Sequence, residues 1–483
     1  MKLKRLLACG LAAVTLAAFP LAACVKRERE PKYGDYIIPV YADDQRMRIG
    51  AWETWFDEDL TKECFQDYAD AGFTLLNPLY PHLDFGGTQY IHNEPGNPER
   101  AKAILDRAYE AGLEVIINDS DLSAVRLNEA ERAKPELNSV WNTKNVYRYI
   151  DHPAFAGLAI MDEPRAGEFT SWIKAKHDRF IETFGAGTKK WFWVNLYPSA
   201  LGAQGLGAPT FKAYLDDYLR IVGGNVLSTD NYCLYSDNSV RQSFFSDLET
   251  ARKAATKYNV PLNNFVLSIP HVSSITKISY KDPTEQDLRW QIAVSQTYGA
   301  ESVVYYSYMT TGDGGGWVYG PGLVSRKGVK LAKWDYAKVV NNEALAWDHV
   351  YLKFKWQSTL AIPASHGRPY ELYKAVQIVY DPALDTITGV KEIKSSDEVL
   401  LGEFKDADGN TGFMLTNATV PFEGKTAEVT IKFESEGKDG YKGVQLFERG
   451  VPRVIDLDGE GKAVIEVGPG EGKFLIPLRR AVL

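Results

Sequence analysis

Apolar runs of strand type alternate with amphipathic stretches of helical period along most of the first 350 residues. This alternation is typical of parallel strands that are joined by crossover helices. The pattern predicts eight strands, at residues 47–56, 73–80, 114–122, 156–163, 189–197, 225–235, 264–272 and 301–308. Eight strand and helix units over about 300 residues have the size of a (β/α)8 TIM barrel.

The stretches between the predicted strands carry apolar residues at helical spacing. They predict helices at residues 57–71, 98–111, 168–183, 211–221, 240–258 and 284–298, with a last helix at 334–347. Two of these helices run into a glycine, Gly72 or Gly112, directly before a predicted strand. Glycine ends a helix at this place because it adopts the left-handed conformation without steric cost.

The helical period is absent after residue 350, where short runs of β type are separated by turn signals such as Asp458-Gly459. The predicted strands are 373–380, 399–404, 411–416, 427–433, 443–447, 463–467 and 472–477. Short strands with frequent turns are typical of an antiparallel β-sandwich. The predicted fold is therefore α/β, with a (β/α)8 TIM barrel at residues 46–350 and a small β-sandwich domain at 351–483.

Residues 1–24 have the layout of an export signal. Basic residues precede an apolar stretch that is short for a membrane span, and the sequence Leu21-Ala-Ala-Cys24 follows. This segment resembles a bacterial lipoprotein signal, and the resemblance implies that Cys24 is lipidated and anchors the protein to the membrane, outside the cytoplasm. Residues 25–45 are charged and poor in apolar side chains at first, which predicts a tether and lead-in.

Composition narrows the class of partner. The net charge is −8, which argues against nucleic acid and other polyanions. The chain has 27 tyrosines and 11 tryptophans, and such rings stack well on the flat apolar faces of sugars. Two cysteines lie outside the signal, Cys64 and Cys233, in different predicted units, and we expect both to be buried free thiols.

The most informative motif is Asp162-Glu163-Pro164, at the end of the fourth predicted strand. The C-terminal strand ends form the active site of a TIM barrel, so these two carboxylates are candidates for acid and base catalysis. The structural alternative is the start of a surface helix, with Asp162 as its N-cap and Pro164 in its first turn. The other strand ends decide between these interpretations.

Carboxylate, amide, imidazole and aromatic groups lie at the other predicted strand ends. Glycoside hydrolysis needs this mixture, because carboxyl groups transfer protons, rings stack on sugar faces and amides hold hydroxyl groups. The candidate catalytic residues are Glu163, Asp230 and Asp162. The candidate substrate-binding residues are Trp52, Tyr80, His82, Asn118, Asp119, Asn195, Tyr197, Tyr232, His271, Tyr306, Tyr308 and, in a glycine-rich loop, Trp317.

The predicted barrel and sandwich together resemble bacterial glycoside hydrolases of the β/α-barrel type. The nearest pattern is that of retaining enzymes whose acid/base is the Glu of an Asn-Glu-Pro motif at the fourth strand end. Glu163 matches that glutamate, and Asp162 replaces the asparagine. The family's nucleophile is a Glu at the end of the seventh strand, where this chain has Ser268-Ile-Pro-His271.

Two assignments of the second carboxylate remain open. In the first, Asp230 at the sixth strand end is the partner of Glu163. In the second, Asp162 assists Glu163 while an acetamido group of the substrate attacks. Adjacent residues of a regular strand point in opposite directions, which favours the first assignment.

The predicted function is hydrolysis of O-glycosidic bonds in oligo- or polysaccharides by a membrane-anchored protein that needs no cofactor. A catalytically inert glycan-binding lipoprotein is the alternative that the absent seventh-strand glutamate favours. A metal-dependent deacetylase or phosphodiesterase is a third candidate. Seven histidines without a dense His/Asp cluster argue against it.

Overall fold

The computed structural model describes residues 36–52, 61–79, 83–84, 89–90, 98–117, 151–364, 387–437 and 440–480. Cys24 and the predicted strand at 373–380 lie outside these ranges. The same holds for four predicted substrate-binding residues, Tyr80, His82, Asn118 and Asp119. These predictions therefore stay predictions.

Eight parallel strands form a closed barrel, which confirms the predicted TIM barrel. Each strand pairs with the strands that precede and follow it in the chain, and the last strand pairs with the first. The strands are β1 Arg48–Ala51, β2 Leu75–Leu79, β3 Glu114–Ile117, β4 Phe155–Asp162, β5 Trp191–Leu196, β6 Leu227–Thr229, β7 Leu262–Leu267 and β8 Ser302–Tyr306.

Helices connect the barrel strands. They are α1 Lys62–Asp70, α2 Pro98–Glu110, α3 Lys174–Phe184, α4 Phe211–Asp217, α5 Phe244–Tyr258, α6 Glu285–Thr297 and α7 Ala332–Leu345. Threonine side chains cap the starts of α1, α4 and α6 by accepting a backbone N–H of the first turn. Gly72 and Gly112 have φ angles of 77° and 74°, as predicted for glycines that end helices.

The barrel interior is filled largely by aromatic and aliphatic side chains. Trp191 and Trp193 of β5 are 5% and 1% exposed, and they pack there with Phe265 and Val304. A second apolar layer lies between the strands and the helices and includes Phe65, Tyr68 and Phe73.

The C-terminal part is a β-sandwich, as predicted. One sheet has six strands in the order β9-β11-β12-β17-β14-β15, and the other has three in the order β10-β13-β16. The strands are β9 Lys355–Ile362, β10 Val390–Ser395, β11 Val399–Lys405, β12 Thr411–Asn417, β13 Ala427–Phe433, β14 Gly443–Glu448, β15 Val451–Asp456, β16 Lys462–Val467 and β17 Gly472–Leu478.

A two-stranded antiparallel flap follows the seventh and eighth barrel strands. It pairs His271–Ser273 with Trp317–Tyr319, and it was not predicted. His271 lies directly opposite Tyr319 in this pairing, and Ser273 lies opposite Trp317. The flap therefore carries three aromatic or imidazole side chains to the C-terminal end of the barrel.

Both cysteines of the described ranges are free thiols. Cys233 is buried as predicted, whereas Cys64 on the outer helix α1 is only half-buried, so the prediction of burial is wrong for Cys64. Within the described ranges, no helix combines the length and apolar character that crossing a lipid bilayer requires.

Candidate active site

The end of β4 departs from regular strand geometry. Its pairing with β5 shifts register between Ala159 and Met161, and Glu163 has a left-handed φ of 51°. The Glu163 N–H still donates to the Asn195 carbonyl, at 2.8 Å. Bulges and left-handed residues re-aim side chains near active sites, at a cost of about 1–3 kcal/mol for the strained residue.

This turn brings both Asp162 and Glu163 close to Asp230. Their negative charges raise the pKa of the Asp230 carboxyl, which requires that both carboxylates lie near it. The expectation that strand alternation separates Asp162 from Glu163 is therefore wrong at this position. Alternation holds only for a regular strand, and the strand has already turned at Glu163.

Tyr214 fixes the corner that follows Glu163. Its hydroxyl, fully buried on α4, donates to the Pro164 carbonyl at 2.5 Å and accepts the Tyr197 N–H at 3.4 Å. One side chain thus ties the loop after β4 to the loop after β5. No motif or strand end marks Tyr214 in the sequence, because it lies in the middle of a helix.

Asp230 directly follows β6 and is 8% exposed. Burial raises its pKa well above the ordinary value, and the charges of Glu163 and Asp162 and a hydrogen bond with Glu163 raise it further. A hydrogen bond from Asn195 acts in the opposite direction. Two carboxyl groups in hydrogen-bond contact cannot both be ionised at little cost, which favours one proton shared between Glu163 and Asp230.

The contact between Glu163 and Asp230 is closer than the separation of a working glycosidase pair. Those carboxyl groups are about 5–5.5 Å apart in retaining enzymes and about 6.5–9.5 Å apart in inverting ones. A sugar between the two groups would have to part them. Glu163 is the residue that can rotate, because it is half-buried whereas Asp230 is enclosed.

Asn195 lies behind the carboxylates rather than in the substrate space. It is 1% exposed, and its Nδ2 donates to Asp162 Oδ1 at 3.0 Å. Its predicted role as a sugar ligand is therefore wrong. Its amide instead holds the carboxylates in place.

His271 is a neutral hydrogen-bond acceptor at this end of the barrel. Its Nδ1 donates to the Ile269 carbonyl at 2.9 Å, and burial lowers its pKa to about 4. A neutral imidazole that is protonated on Nδ1 has a lone pair on Nε2. His271 can therefore accept a hydrogen bond from a hydroxyl group.

Five rings surround His271, and we call them the aromatic wall. The centroids of Tyr280 and Trp317 lie 4.3 and 5.1 Å from the His271 ring. The hydroxyl of Tyr306 donates to that of Tyr319 at 3.1 Å. The full set is Tyr232, Tyr280, Tyr306, Trp317 and Tyr319, of which Tyr232, Tyr306 and Trp317 were predicted.

Three other predicted sugar ligands lie in packed surroundings. Tyr308 is 2% exposed and packs on Tyr68 between the strands and the helices, with ring centroids 4.9 Å apart. The prediction that Tyr308 binds substrate is therefore wrong. The strand ends at Tyr306, and the two-residue alternation that would keep Tyr308 on the same face ends with it. Trp52 is 9% exposed and contacts Trp193 in the barrel interior, and Tyr197 is half-buried against the outer core.

Asp247 on α5 supports the loops around Asp230. Its carboxylate accepts hydrogen bonds from Ser199 and Asn231, both at 2.8 Å. Burial raises its pKa to about 6. Sequence reasoning missed Asp247 because a helix carboxylate is usually solvated, and nothing local marks this one as buried.

The described residues contain no group of three His, Cys, Asp or Glu side chains that could hold a metal ion. The groups that the structure brings together are carboxyls, an imidazole and aromatic rings. They can transfer protons, bind hydroxyl groups and stack on apolar faces.

No protein-family model and no curated protein matches the sequence. Among solved structures, the chain is similar to glycoside hydrolases. The β-galactosidase from Bacillus circulans sp. alkalophilus has a TM-score of 0.48 at 10% identity, covering 90% of this chain and 99% of that one. The family 30 subfamily 8 xylanase Xyn30A from Clostridium acetobutylicum has a TM-score of 0.41 at 10% identity, covering 90% and 97%.

The β-galactosidase from psychrophilic Marinomonas ef1 has a TM-score of 0.45 at 14% identity. The match covers 63% of this chain and 60% of that one, so the chain spans three fifths of that enzyme's length. All three TM-scores lie below 0.5, and at these identities the likeness carries no conclusion about activity.

Proposed function

We propose that the protein is a glycoside hydrolase that cleaves O-glycosidic bonds in oligo- or polysaccharides. The observation that carries the proposal is the hydrogen-bond contact between the carboxyl groups of Glu163 and Asp230 at the C-terminal end of the barrel, beside the aromatic wall. Glycoside hydrolysis needs one protonated and one ionised carboxyl group on either side of the scissile bond. Two adjacent carboxyls that hold one proton provide this ionisation state near neutral pH.

Each carboxyl group has a distinct role in this proposal. Glu163, half-buried and able to rotate, donates its proton to the leaving oxygen. The raised pKa of Asp230 favours the proton on Asp230 in the free protein; when a sugar parts the two groups the proton moves to Glu163, and the ionised Asp230 acts on the anomeric carbon or on a water molecule. Asp162 accepts a hydrogen bond from Asn195 Nδ2. It stabilises the positive charge that develops on the sugar ring.

The aromatic wall and His271 serve substrate binding. The half-buried rings of Trp317, Tyr306 and Tyr232 offer faces on which a sugar can stack. The Nε2 lone pair of His271 accepts a hydroxyl proton. These contacts orient the sugar so that its glycosidic oxygen meets Glu163.

The place of action in this proposal is outside the cytoplasmic membrane. Support comes from the N-terminal segment with its Leu-Ala-Ala-Cys24 sequence, in which Cys24 would carry the lipid anchor. A net charge of −8 is consistent with a carbohydrate rather than a nucleic acid as the partner. The substrate is then an extracytoplasmic glycan.

A glycan-binding protein without catalysis is the second candidate. His271 follows β7 at the place where the retaining glycosidases that the sequence resembles have a glutamate nucleophile. In that case the aromatic wall and His271 bind sugar, and the carboxyl cluster only forms hydrogen bonds with it. Binding of a glycan without turnover distinguishes this candidate from an enzyme.

The test is activity of the purified protein on a panel of nitrophenyl glycosides and natural glycans. Glu163→Gln and Asp230→Asn should each lower kcat by about 10²–10⁴-fold, because each removes one proton-transfer group. Glu182→Gln on the solvent side of α3 is the matched control and should keep full activity, since Glu182 is 63% exposed. Undiminished hydrolysis of a natural glycan by Glu163→Gln would overturn the proposal.

A further inference from the structure

Polar side chains form a continuous chain of hydrogen bonds inside the barrel. Ser302 Oγ donates to Asn263 Oδ1 at 2.7 Å, and Asn263 Nδ2 donates to Ser228 Oγ at 2.9 Å. Ser228 Oγ then donates to Asn195 Oδ1 at 3.1 Å, and Asn195 Nδ2 donates to Asp162 at 3.0 Å. We call Ser302, Asn263, Ser228 and Asn195 the polar ladder.

The polar ladder lies in one row of strand pairing. Ser302 pairs with Asn263, Asn263 with Ser228, Ser228 with Asn195, and Asn195 with Asp162. The row begins at the first residue of β8 and ends at the last residue of β4. It therefore climbs from the lower end of the barrel to the candidate active site.

Such a row is unusual for the interior of a TIM barrel, which branched apolar side chains normally fill. All four ladder residues are at most 1% exposed. Each buried hydroxyl or amide costs free energy unless it is hydrogen-bonded, so all four must be satisfied together. Packing alone does not explain the choice of these residues, because small apolar side chains would fill the same space.

The carboxylate fixes the direction of every hydrogen bond in the ladder. If the Asn195 amide were reversed, its Oδ1 would face the Asp162 carboxylate, and two acceptors would oppose each other. With Nδ2 toward Asp162, Oδ1 needs a donor, and Ser228 supplies it. Because the Ser228 hydroxyl donates to Asn195, it accepts from Asn263 Nδ2, and Asn263 Oδ1 in turn needs a donor, which is the Ser302 hydroxyl.

We propose that the polar ladder is a positioning device that holds the Asn195 amide toward Asp162 and Asp230 and so sets which carboxyl group of the cluster is ionised. This inference rests on the proposed glycosidase function for its kinetic consequences. The ladder residues touch no substrate and are positioning residues. Their effect reaches the reaction through the carboxylates that Asn195 contacts.

The other titratable groups around the cluster are phenols, one imidazole and the carboxyl of Asp247, whose pKa burial raises to about 6. Burial raises the pKa of Tyr214, of Tyr232 and, to about 12, of Tyr280, so these phenols stay neutral below about pH 9. His271 is neutral above its pKa of about 4. Changes in the pH profile between about pH 5 and 9 therefore report the carboxyl groups Asp162, Glu163 and Asp230 together with Asp247.

The test compares Ser228→Ala and Ser302→Ala with the wild type. Either change leaves an acceptor of the ladder without its donor, so the Asn195 amide loses its fixed orientation. Loss of a donor raises the pKa of a carboxylate. The acidic limb of the plot of kcat/KM against pH should then shift to higher pH, by about half a pH unit to one pH unit. The value of kcat should fall about tenfold, with KM nearly unchanged.

Two further variants serve as controls. Ser295 on α6 is also fully buried and accepts from Asn264 at 2.9 Å, but this pair is not part of the ladder. Ser295→Ala should leave the pH profile in place. Ser228→Thr keeps the hydroxyl and should restore the position of the acidic limb.

A profile of Ser228→Ala and of Ser302→Ala that superimposes on the wild-type profile would overturn the inference, and so would an equal shift in Ser295→Ala. Carbon-13 NMR titration of labelled aspartate carboxyls provides a readout that needs no activity. It should show raised carboxyl pKa values in both ladder variants. If no form of the protein hydrolyses a glycoside, the proposed function fails. The NMR titration still tests whether the polar ladder controls the carboxyl pKa values, because it needs no activity.

Discussion

The shared proton of Glu163 and Asp230 depends on where individual residues sit. Asp230 is buried, Glu163 has a left-handed backbone, and the carbonyl of Asn195 accepts the Glu163 N–H. None of these properties follows from residue type alone. A free aspartate is ionised near neutral pH, whereas burial and two neighbouring carboxylates keep a proton on this pair.

His271 gives a residue-scale prediction on stability. Its pKa is about 4 in the folded protein and about 6.5 in an unfolded chain, so the folded state binds fewer protons between these values. The stability that this difference contributes is complete above pH 6.5 and is lost as the pH falls toward 4. Between pH 7 and 4, the wild type should lose about 3 kcal/mol of unfolding free energy relative to His271→Asn.

Denaturant unfolding of both proteins at pH 7, 5.5 and 4 measures this difference. The unfolding free energy of the variant is subtracted from that of the wild type at each pH, and these differences are then compared between pH values. Groups that titrate alike in both proteins cancel in this comparison. A constant gap between wild type and variant at the three pH values would show that the His271 imidazole is not depressed in pKa.

At the scale of elements, β4 is the strand that sets the active-site geometry. Gly157 lies opposite Trp191 of β5, and a Cβ on Gly157 would lie 2.2 Å from the Trp191 carbonyl oxygen. The two strands thus approach each other too closely for any side chain at this position. The close pairing fixes the path of β4 toward Asp162 and Glu163.

Gly157→Ala should therefore destabilise the protein by about 1–3 kcal/mol or more, because backbone must move to admit the methyl group. It should also lower activity, since β4 carries Asp162 and Glu163. Gly167→Ala is the matched control, because nothing lies within 4 Å of its added Cβ and it lies in the short helix Ala166–Glu168. Equal melting temperatures for Gly157→Ala and wild type would contradict this account of β4.

The sequence allowed prediction of the barrel because eight strands and their helices each carry their own period. Asp162, Glu163 and Asp230 became candidates for the same reason, since all three lie at strand ends, and the structure brings these three side chains together. The left-handed turn at Glu163 was not, because strand alternation assumes regular geometry. The flap also escaped prediction, since its two three-residue strands pair across a long loop and show no period of their own.

At the scale of the whole molecule, the barrel and the sandwich share buried contacts. Phe474 of β17 is fully buried and packs on Trp347, which follows α7, with ring centroids 5.3 Å apart. Thr297 of α6 and Thr416 of β12 join hydroxyl groups at 2.7 Å. The two parts are therefore expected to unfold together rather than one after the other.

Phe474→Ala should lower the unfolding free energy by about 3–5 kcal/mol, because it removes a buried ring and leaves a cavity. Calorimetry should show one transition that moves as a whole. Phe422→Ala is the control with the same chemical change at a site that is 69% exposed, and it should stay within about 0.5 kcal/mol of the wild type. A second transition in Phe474→Ala would show that barrel and sandwich are energetically independent.

In the proposed reaction, Glu163 donates a proton to a departing glycosidic oxygen. This role is tested most directly by the dependence of Glu163→Gln on the leaving group, with the sugar kept constant. A dinitrophenolate leaves without a proton, whereas an alkyl or sugar oxygen needs one. Glu163→Gln should lower kcat/KM by about 10²–10⁴-fold on the natural glycoside and by less than about tenfold on the dinitrophenyl glycoside if Glu163 is the proton donor. Equal losses on both substrates would contradict this role.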